Sequence, residues 1–341
     1  MASNPISITT AAPKSPMFIP AESIHSLLSH KALIEHFSSS LPAVTPSINT
    51  PARQSYPVAG SPGASLLLMP SWSPHPSLPY IGVKLVTYFP HNSDRNLPGI
   101  HASYVLFCSV TGQTLATMDG TILTLYRTAC ISGLASKILA RNDCQVMVMV
   151  GAGALAPHLI QAHLAARPGV KRVIIWNRTV DKAMKLAERM RGDERFEGVT
   201  FESGQSLEEI VPLADIVSCA TNSQEPLVMG RWLKMGAHLD LVGSFKPSMK
   251  ECDDDAIQRA ASAGRLFVDN KMAMEEAGEL VGAMQRGVIN QDEGIGGDLV
   301  DLAKGSTLGR AGDEEITVFK SVGSGAADIL AAQLLYEKCL Y

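Results

Sequence analysis

The sequence has little of what would commit it to a special class. Its six cysteines (Cys108, Cys130, Cys144, Cys219, Cys252, Cys339) are scattered, with no CxxC pair and none beside a histidine at metal-ligand spacing. That excludes a disulfide framework and a zinc cluster, and leaves reduced thiols and no bound metal as the expectation. Positive charge is not in excess either. Lys and Arg number 29 against 33 Asp and Glu, a net charge of −4, so a nucleic-acid surface is not expected. No apolar run reaches the roughly 18 residues of a membrane span, and no membrane association is expected. The N-terminus MASNPISITTAAPKSP lacks both the apolar stretch of a secretory signal and the arginines of a transit peptide. Residues 1–16 are expected to be a disordered tail, and the protein cytoplasmic.

What is present is a chain of 341 residues, 46% of them hydrophobic, enough for two cores. AESIHSLLSHKALIEHFSS has helical period. LLLMP (66–70), YIGVKLVTYF (80–89), ASYVLFCSV (102–110) and QTLATMD (113–119) read as strands, the last two joined by a turn at Thr111-Gly112. A long helix follows, from about Thr121 to Ala140. From Val146 the texture changes. VMVMV (146–150), RVIIWN (172–177), IVSCA (216–220), HLDLVG (238–243) and RLFVDN (265–270) are short apolar runs of the kind buried on both faces of a parallel sheet. Helical segments separate them, and EITVFKSVG (315–323) leads into a closing helix. This alternation predicts an α/β fold: a Rossmann doubly wound parallel sheet plus an N-terminal α+β domain closed by the C-terminal helix. The expected division is 17–125 with 320–341 for a substrate and dimerisation domain, and 126–319 for an NADP-binding domain.

VGAGALAPHLIQAH opens the second part. Gly151 permits a tight turn after a strand, Gly153 lets a pyrophosphate approach the backbone, and Ala156 in place of a third glycine still allows close helix packing. The following helix offers free N–H groups to phosphate. A dinucleotide cradle usually has a carboxylate at the end of the next strand to bind the ribose 2′-hydroxyl. Here Asn177-Arg178-Thr179 stands instead, 26 residues after Gly151. Neutral Asn177, cationic Arg178 and a Thr179 able to cap a helix and donate its hydroxyl suit a 2′-phosphate, so NADP(H) is expected over NAD(H). Four cations outside the cradle remain: Arg53, Lys84, Arg127 (followed by Thr128) and Lys320. Singly each reads as a surface charge. Lys84 and Lys320 lie in apolar strands, where an unpaired charge is costly. Together such cations would serve a small anionic substrate.

GVKLVTYFPHN, DGTILTLYRTAC, VGAGALA and ITVFKSVG give the chain a resemblance to the ornithine cyclodeaminase/mu-crystallin family over roughly residues 17–338. The resemblance implies a homodimer built through the N-terminal sheets, with a Rossmann domain on each subunit, and an α-amino or α-imino acid substrate. It implies that Arg53, Lys84 and Arg127 clamp the substrate carboxylate with Thr128 beside them. It sets Gly151, Gly153, Ala154 and Leu155 against the pyrophosphate, and Thr221, Ser244 and Val322 near the nicotinamide. Cyclodeaminases carry an aspartate in a Gly-Asp-x-Pro-Gly-Lys context, where this chain has VGSFKPSMKECDD with Phe245 at that position. Phenylalanine cannot transfer a proton, and GSFKPSMKE is similar to the GxFxPxMRE stretch of the family's Δ1-pyrroline-2-carboxylate reductases. The implied reaction is reduction of Δ1-pyrroline-2-carboxylate or Δ1-piperideine-2-carboxylate to L-proline or L-pipecolate, with Lys84 and Arg127 as catalytic residues. An ammonia-releasing amino-acid enzyme and a lens-type protein that keeps NADPH without turnover stay open as alternatives.

Overall fold

A computed structural model describes residues 15–95, 97–290 and 294–341. Most of the expected tail, residues 1–14, lies outside the described residues. In chain order the elements are β1 (Met17–Ile19), α1 (Ala21–Leu27), α2 (His30–Val44), β2 (Gln54–Pro57), β3 (Ser65–Trp72), β4 (Tyr80–Tyr88), β5 (Ile100–Cys108), β6 (Thr114–Asp119) and α3 (Gly120–Leu139). They continue with β7 (Val146–Val150), α4 (Ala156–Ala166), β8 (Arg172–Trp176), α5 (Val180–Arg191), β9 (Thr200–Ser203), α6 (Leu207–Ile210), β10 (Ile216–Cys219), β11 (His238–Leu241) and α7 (Asp254–Ala261). The last are β12 (Leu266–Val268), α8 (Ala273–Glu276), α9 (Gly278–Gln285), β13 (Gly297–Asp298), α10 (Leu299–Lys304), β14 (Thr317–Lys320) and α11 (Gly325–Cys339). Two compact units result. Among the described residues, one comprises 15–28, Pro46–Thr124 and Asp328–Tyr341, and the other Ser29–Thr45 with Leu125–Ala327.

The first unit holds a six-stranded sheet in the order β1-β6-β5-β4-β3-β2, antiparallel except for β1 against β6. Side chains alternate across a strand, and β4 shows it. Tyr80, Gly82, Lys84 and Val86 point to the covered face, and Ile81, Val83 and Leu85 to a half-exposed one. Register carries the half-exposed set across the sheet, pairing Trp72 with Ile81, Pro70 with Val83, and Val83 with Val105. On the covered face Tyr104 is wholly buried, with its ring over Gly82; a Cβ there would fall within 1.8 Å of the phenol oxygen. From Asp328 onward α11 lies on that face. Gln333 donates to the carbonyl of Ser77 (2.8 Å), and Lys338 to that of Leu27 (2.9 Å).

The second unit is doubly wound. Eight parallel strands run in the order β13-β12-β14-β11-β10-β7-β8-β9. The apolar runs read from the sequence are its central strands: Val148, Val150, Val217, Leu239, Leu241 and Val318 are fully buried in one core cluster. Each such side chain contributes about 1.5–3 kcal/mol on burial. Among the apolar strands, Asp240 Oδ2 accepts a hydrogen bond from Ser218 Oγ (2.7 Å) and lies 3.1 Å from His163 Nε2, so one oxygen of the buried carboxylate is met.

Three sequence expectations change. The early helical run is two helices, because the chain extends at Leu28 and Ser29, and the Ser29 hydroxyl caps α2 by accepting from the Ala32 N–H. α2 packs on α4 and α10, has Leu33, Ile34 and Phe37 buried, and belongs to the second unit. β2 was not legible as a strand, since Gln54, Ser55, Tyr56 and Pro57 are all exposed and show no alternation. α3 is long and apolar enough by composition to cross a membrane, and 67% of its most apolar window is buried inside the protein, as a core helix should be.

Candidate functional site

In an open doubly wound sheet, ligands bind outside the carboxyl ends of the strands where the winding reverses. Here the chain winds from β7 outward to β8 and β9, and from β10 the other way to β11, β14 and β12. The reversal lies between β7 and β10. Gly151, directly after β7, has φ of +115°, and a Cβ on it would fall 2.6 Å from the carbonyl oxygen of Ala220. Glycine is required there on both counts. Gly153 faces open space, with nothing within 4 Å of where its Cβ would be. The N–H groups of Gly153, Ala154 and Leu155 have no partner among the described residues, and Gly153 and Ala154 are exposed. The turn leading into α4 therefore presents unpaired amides next to the positive end of the helix dipole and a glycine with room above it, which suits a pyrophosphate.

At the end of β8 the three-residue signal divides. Asn177 turns inward: its Oδ1 accepts from the Ala152 N–H (3.2 Å) and its Nδ2 donates to the Thr179 carbonyl (2.9 Å). It ties the glycine loop to the second strand. Thr179 is the residue before α5, but its side chain makes no capping hydrogen bond, which corrects that part of the expectation. Arg178 is exposed and has no hydrogen bond or ion pair among the described residues, so its guanidinium can take an anion.

The residues beyond β10, β11 and β14 are held by buried acids that the sequence did not single out. Glu251 accepts from the N–H and hydroxyl of Thr221 (2.7 and 3.0 Å) and from the N–H of Gly243 (2.7 Å). Asp269, just after β12, accepts from the Ser321 hydroxyl (2.8 Å) and the N–H groups of Val322 (3.1 Å) and Gly323 (2.7 Å). Burial raises the Asp269 carboxyl above the usual range, against those three donors and the charge of Arg127. Arg127 itself, in α3, is buried against the same loop; a Cβ on Gly323 would fall 2.5 Å from its Nη1. Thr128 is half-buried beside it.

Two singled-out residues have side chains engaged within the protein. Ser244 is fully buried, and its hydroxyl donates to the Met249 carbonyl (2.9 Å) and accepts from the Gly278 N–H (3.1 Å). It fastens its loop and offers no side-chain group to a ligand. Lys320 is equally buried, 2.9 Å from Glu279 Oε1. Burial alone would lower its ammonium, but Glu279 and Glu251 outweigh it and hold it above the ordinary lysine range. It is an internal ion pair and not a cation for substrate.

In the first unit Lys84 stands mid-strand in β4, with its Nζ 2.6 Å from Asp328 Oδ2 and both side chains almost wholly enclosed. Tyr104 is its cross-strand neighbour. Arg53 precedes β2, exposed, with no hydrogen bond or ion pair among the described residues. No group of three or more His, Cys, Asp or Glu positioned to hold a metal occurs among the described residues. The missed acids carried weak signals: Asp328 interrupts the apolar SGAADILAA, Asp269 ends a strand, and Glu251 closes the GSFKPSMKE stretch.

A profile of the ornithine cyclodeaminase/mu-crystallin family matches residues 14–341. The chain belongs to that family. Among its relatives, Protein SAR DEFICIENT 4 of Arabidopsis thaliana is 62% identical over 325 residues, 95% of this chain and 98% of that one. The Δ1-pyrroline-2-carboxylate reductase of Colwellia psychrerythraea is 37% identical, over 94% of this chain and 98% of its own. The solved Δ1-pyrroline-2-carboxylate reductase of Thermococcus litoralis, in complex with NADH and L-proline, superimposes with a TM-score of 0.86 at 31% identity. It covers 95% of this chain and 97% of its own.

The Lys84–Asp328 pair generates a prediction. Removing one partner of a buried ion pair strands the other's charge, at a cost of about 3–5 kcal/mol. Asp328→Ala is expected to lower the thermal unfolding temperature sharply, and the double variant Lys84→Met/Asp328→Leu to recover most of the loss. An Asp328→Ala protein that melts with the wild type would contradict the pairing.

Proposed function

We propose that this family member is an NAD(P)H-dependent reductase of cyclic ketimines, converting Δ1-pyrroline-2-carboxylate or Δ1-piperideine-2-carboxylate to L-proline or L-pipecolate. The observation that carries the reading is Phe245. The loop after β11 has an aromatic ring where a deaminating member needs a proton carrier, and that half-buried ring has the Lys246 ammonium 5.7 Å from its centroid. Relatives that share the chain nearly end to end carry the reductase name, which agrees.

The chemistry asks little of the protein. A nicotinamide cofactor supplies a hydride when bound. Gly151, Gly153, Ala154 and Leu155 would hold its pyrophosphate, Thr221 and Val322 would flank its nicotinamide half, and Arg178 would meet a 2′-phosphate. Arg53, Lys84, Arg127 and Thr128 would bind the substrate, the cations taking its carboxylate. The C=N double bond becomes a C–N single bond as C2 gains hydride, and the nitrogen keeps the proton of the iminium form. Lys84 would influence the protonation of that nitrogen, and no side chain is required as general acid. The enzyme's work is then orientation, charge neutralisation and exclusion of water.

We also propose a homodimer. The half-exposed face of the first unit's sheet, with Leu66 and Trp72 each at least a third exposed beside Ile81 and Val83, is an apolar surface of the kind that pairs with its own copy.

Three measurements test these readings. NADPH oxidation is expected with either cyclic imine and Arg127→Ala should raise KM strongly, lowering kcat as well if the substrate sits askew. Ammonia released from ornithine, or no oxidation with either imine, would overturn the assignment. NADPH is expected to bind more tightly than NADH, and Arg178→Ala to remove about ten- to a hundredfold of that preference, the worth of an Arg–phosphate pair. Equal wild-type dissociation constants would refute it. Sedimentation at micromolar concentration should show a dimer, and a clean monomer would exclude that association.

A further inference from the structure

The mechanism above gives no task to Glu251. It is fully buried, yet it touches more of the strand-end loops than any residue assigned to the cofactor. One carboxylate oxygen takes the N–H and the hydroxyl of Thr221, after β10. The other takes the N–H of Gly243, after β11, with the Ser244 N–H farther off at 3.4 Å. Its own carbonyl accepts from the N–H groups of Leu227 and Val228 (3.1 and 3.0 Å). The fit is tight: a Cβ on Gly243 would fall 2.4 Å from Glu251 Oε1 and 2.1 Å from the Thr221 carbonyl oxygen. One side chain thus fixes the spacing between two adjacent loops beside the winding reversal.

We propose that Glu251 is a positioning residue whose ionised carboxylate clamps the β10 and β11 loops under the nicotinamide half of the cofactor. Losing that charge weakens the hold on this half and leaves the adenosine half untouched. The inference rests on the nicotinamide-cofactor reading above, but not on the identity of the substrate.

A carboxylate serves donors on both oxygens only while ionised, because a protonated one turns an O–H toward one of the N–H groups. The charges facing it are Lys320 from β14 and Glu279 from α9, with the thiols of Cys219 and Cys252 nearby. Burial is the largest influence and pushes the Glu251 carboxyl up to about 6; Lys320 opposes it and Glu279 adds to it. The sign follows. At pH 7.5 the clamp is closed, and by pH 5 most molecules carry the proton and the clamp is loosened.

The test is the dissociation constant of NADH, read by its bound emission, from pH 5.0 to 8.0, beside that of ADP-ribose, which lacks the nicotinamide. NADH is chosen over NADPH because a 2′-phosphate itself titrates near pH 6. Wild-type NADH affinity is expected to fall about tenfold from pH 7.5 to 5 as charge-assisted bonds are lost, with the ADP-ribose constant changing less than about twofold. Glu251→Gln should bind NADH about tenfold more weakly at pH 7.5, with a flat pH profile and a shifted bound emission, and should bind ADP-ribose normally. If that variant fails to fold, the wild-type comparison of the two ligands still decides. Parallel weakening of both ligands in acid, an NADH constant flat from pH 5 to 7.5, or a Glu251→Gln profile matching the wild type would each overturn the proposal. No imine is present. A protein that binds NADH in this pattern but reduces no cyclic imine would refute the ketimine reading alone, and one that binds no NADH at any pH would refute both.

Discussion

A carboxylate taken out of water must be met by donors or give up its charge, and that constraint shapes both units of this protein. Asp328 takes the Lys84 ammonium. Asp269 takes one hydroxyl and two amides beyond β14. Glu251 takes one hydroxyl and two short amide bonds beyond β10 and β11. Apolar packing sets where the parallel strands lie, but it says nothing about the few residues after each strand. Those residues expose backbone N–H groups, and the buried acids are what gather them. The strand-end loops therefore have defined positions although they contain little apolar side chain.

The same constraint sorts the cations. In the sequence Arg53, Lys84, Arg127 and Lys320 are single positive charges, two of them, Lys84 and Lys320, in apolar strands. In the structure Lys320 is neutralised by Glu279 inside the core. Lys84 is tethered to Asp328, which fixes its ammonium. Arg127 is buried against the loop at Gly323 and feels the Asp269 charge. Arg53 and Arg178 remain in solvent. An anion meeting Lys84 meets a lysine whose charge is already partly balanced, so binding there depends on position more than on net attraction.

Local patterns were legible in the sequence and distant pairings were not. VMVMV and RVIIWN are buried on both faces, and only a parallel sheet covered by helices makes that composition stable. The glycine spacing after β7 follows from a turn no other residue can make. By contrast, Lys84 and Asp328 are 244 positions apart, and Asp328 reads from sequence as an ordinary acid in the first turn of a helix. Ser244 was set near the nicotinamide by the family resemblance, and only the positions of Met249 and Gly278 show that its hydroxyl is already used. The break between α1 and α2 was hidden because the apolar period continues through Leu27 and Leu28, while the cap at Ser29 is a single hydroxyl.

The disposition of the acids bears on the kind of reaction the second unit can support. Glu251 and Asp269 spend their oxygens on loop donors, Glu279 is paired with Lys320, and Asp240 is engaged by Ser218 and His163. Each is buried, and moving a proton through any of them would break the contacts that set the loops. Phe245 adds no replacement. A reaction drawing its general acid and base from these four acids would have to dismantle its own scaffold at each turnover. A protonated cyclic imine brings the required proton on its own nitrogen. It needs only to be held, and reduction of such a substrate is the chemistry most compatible with acids committed to structure.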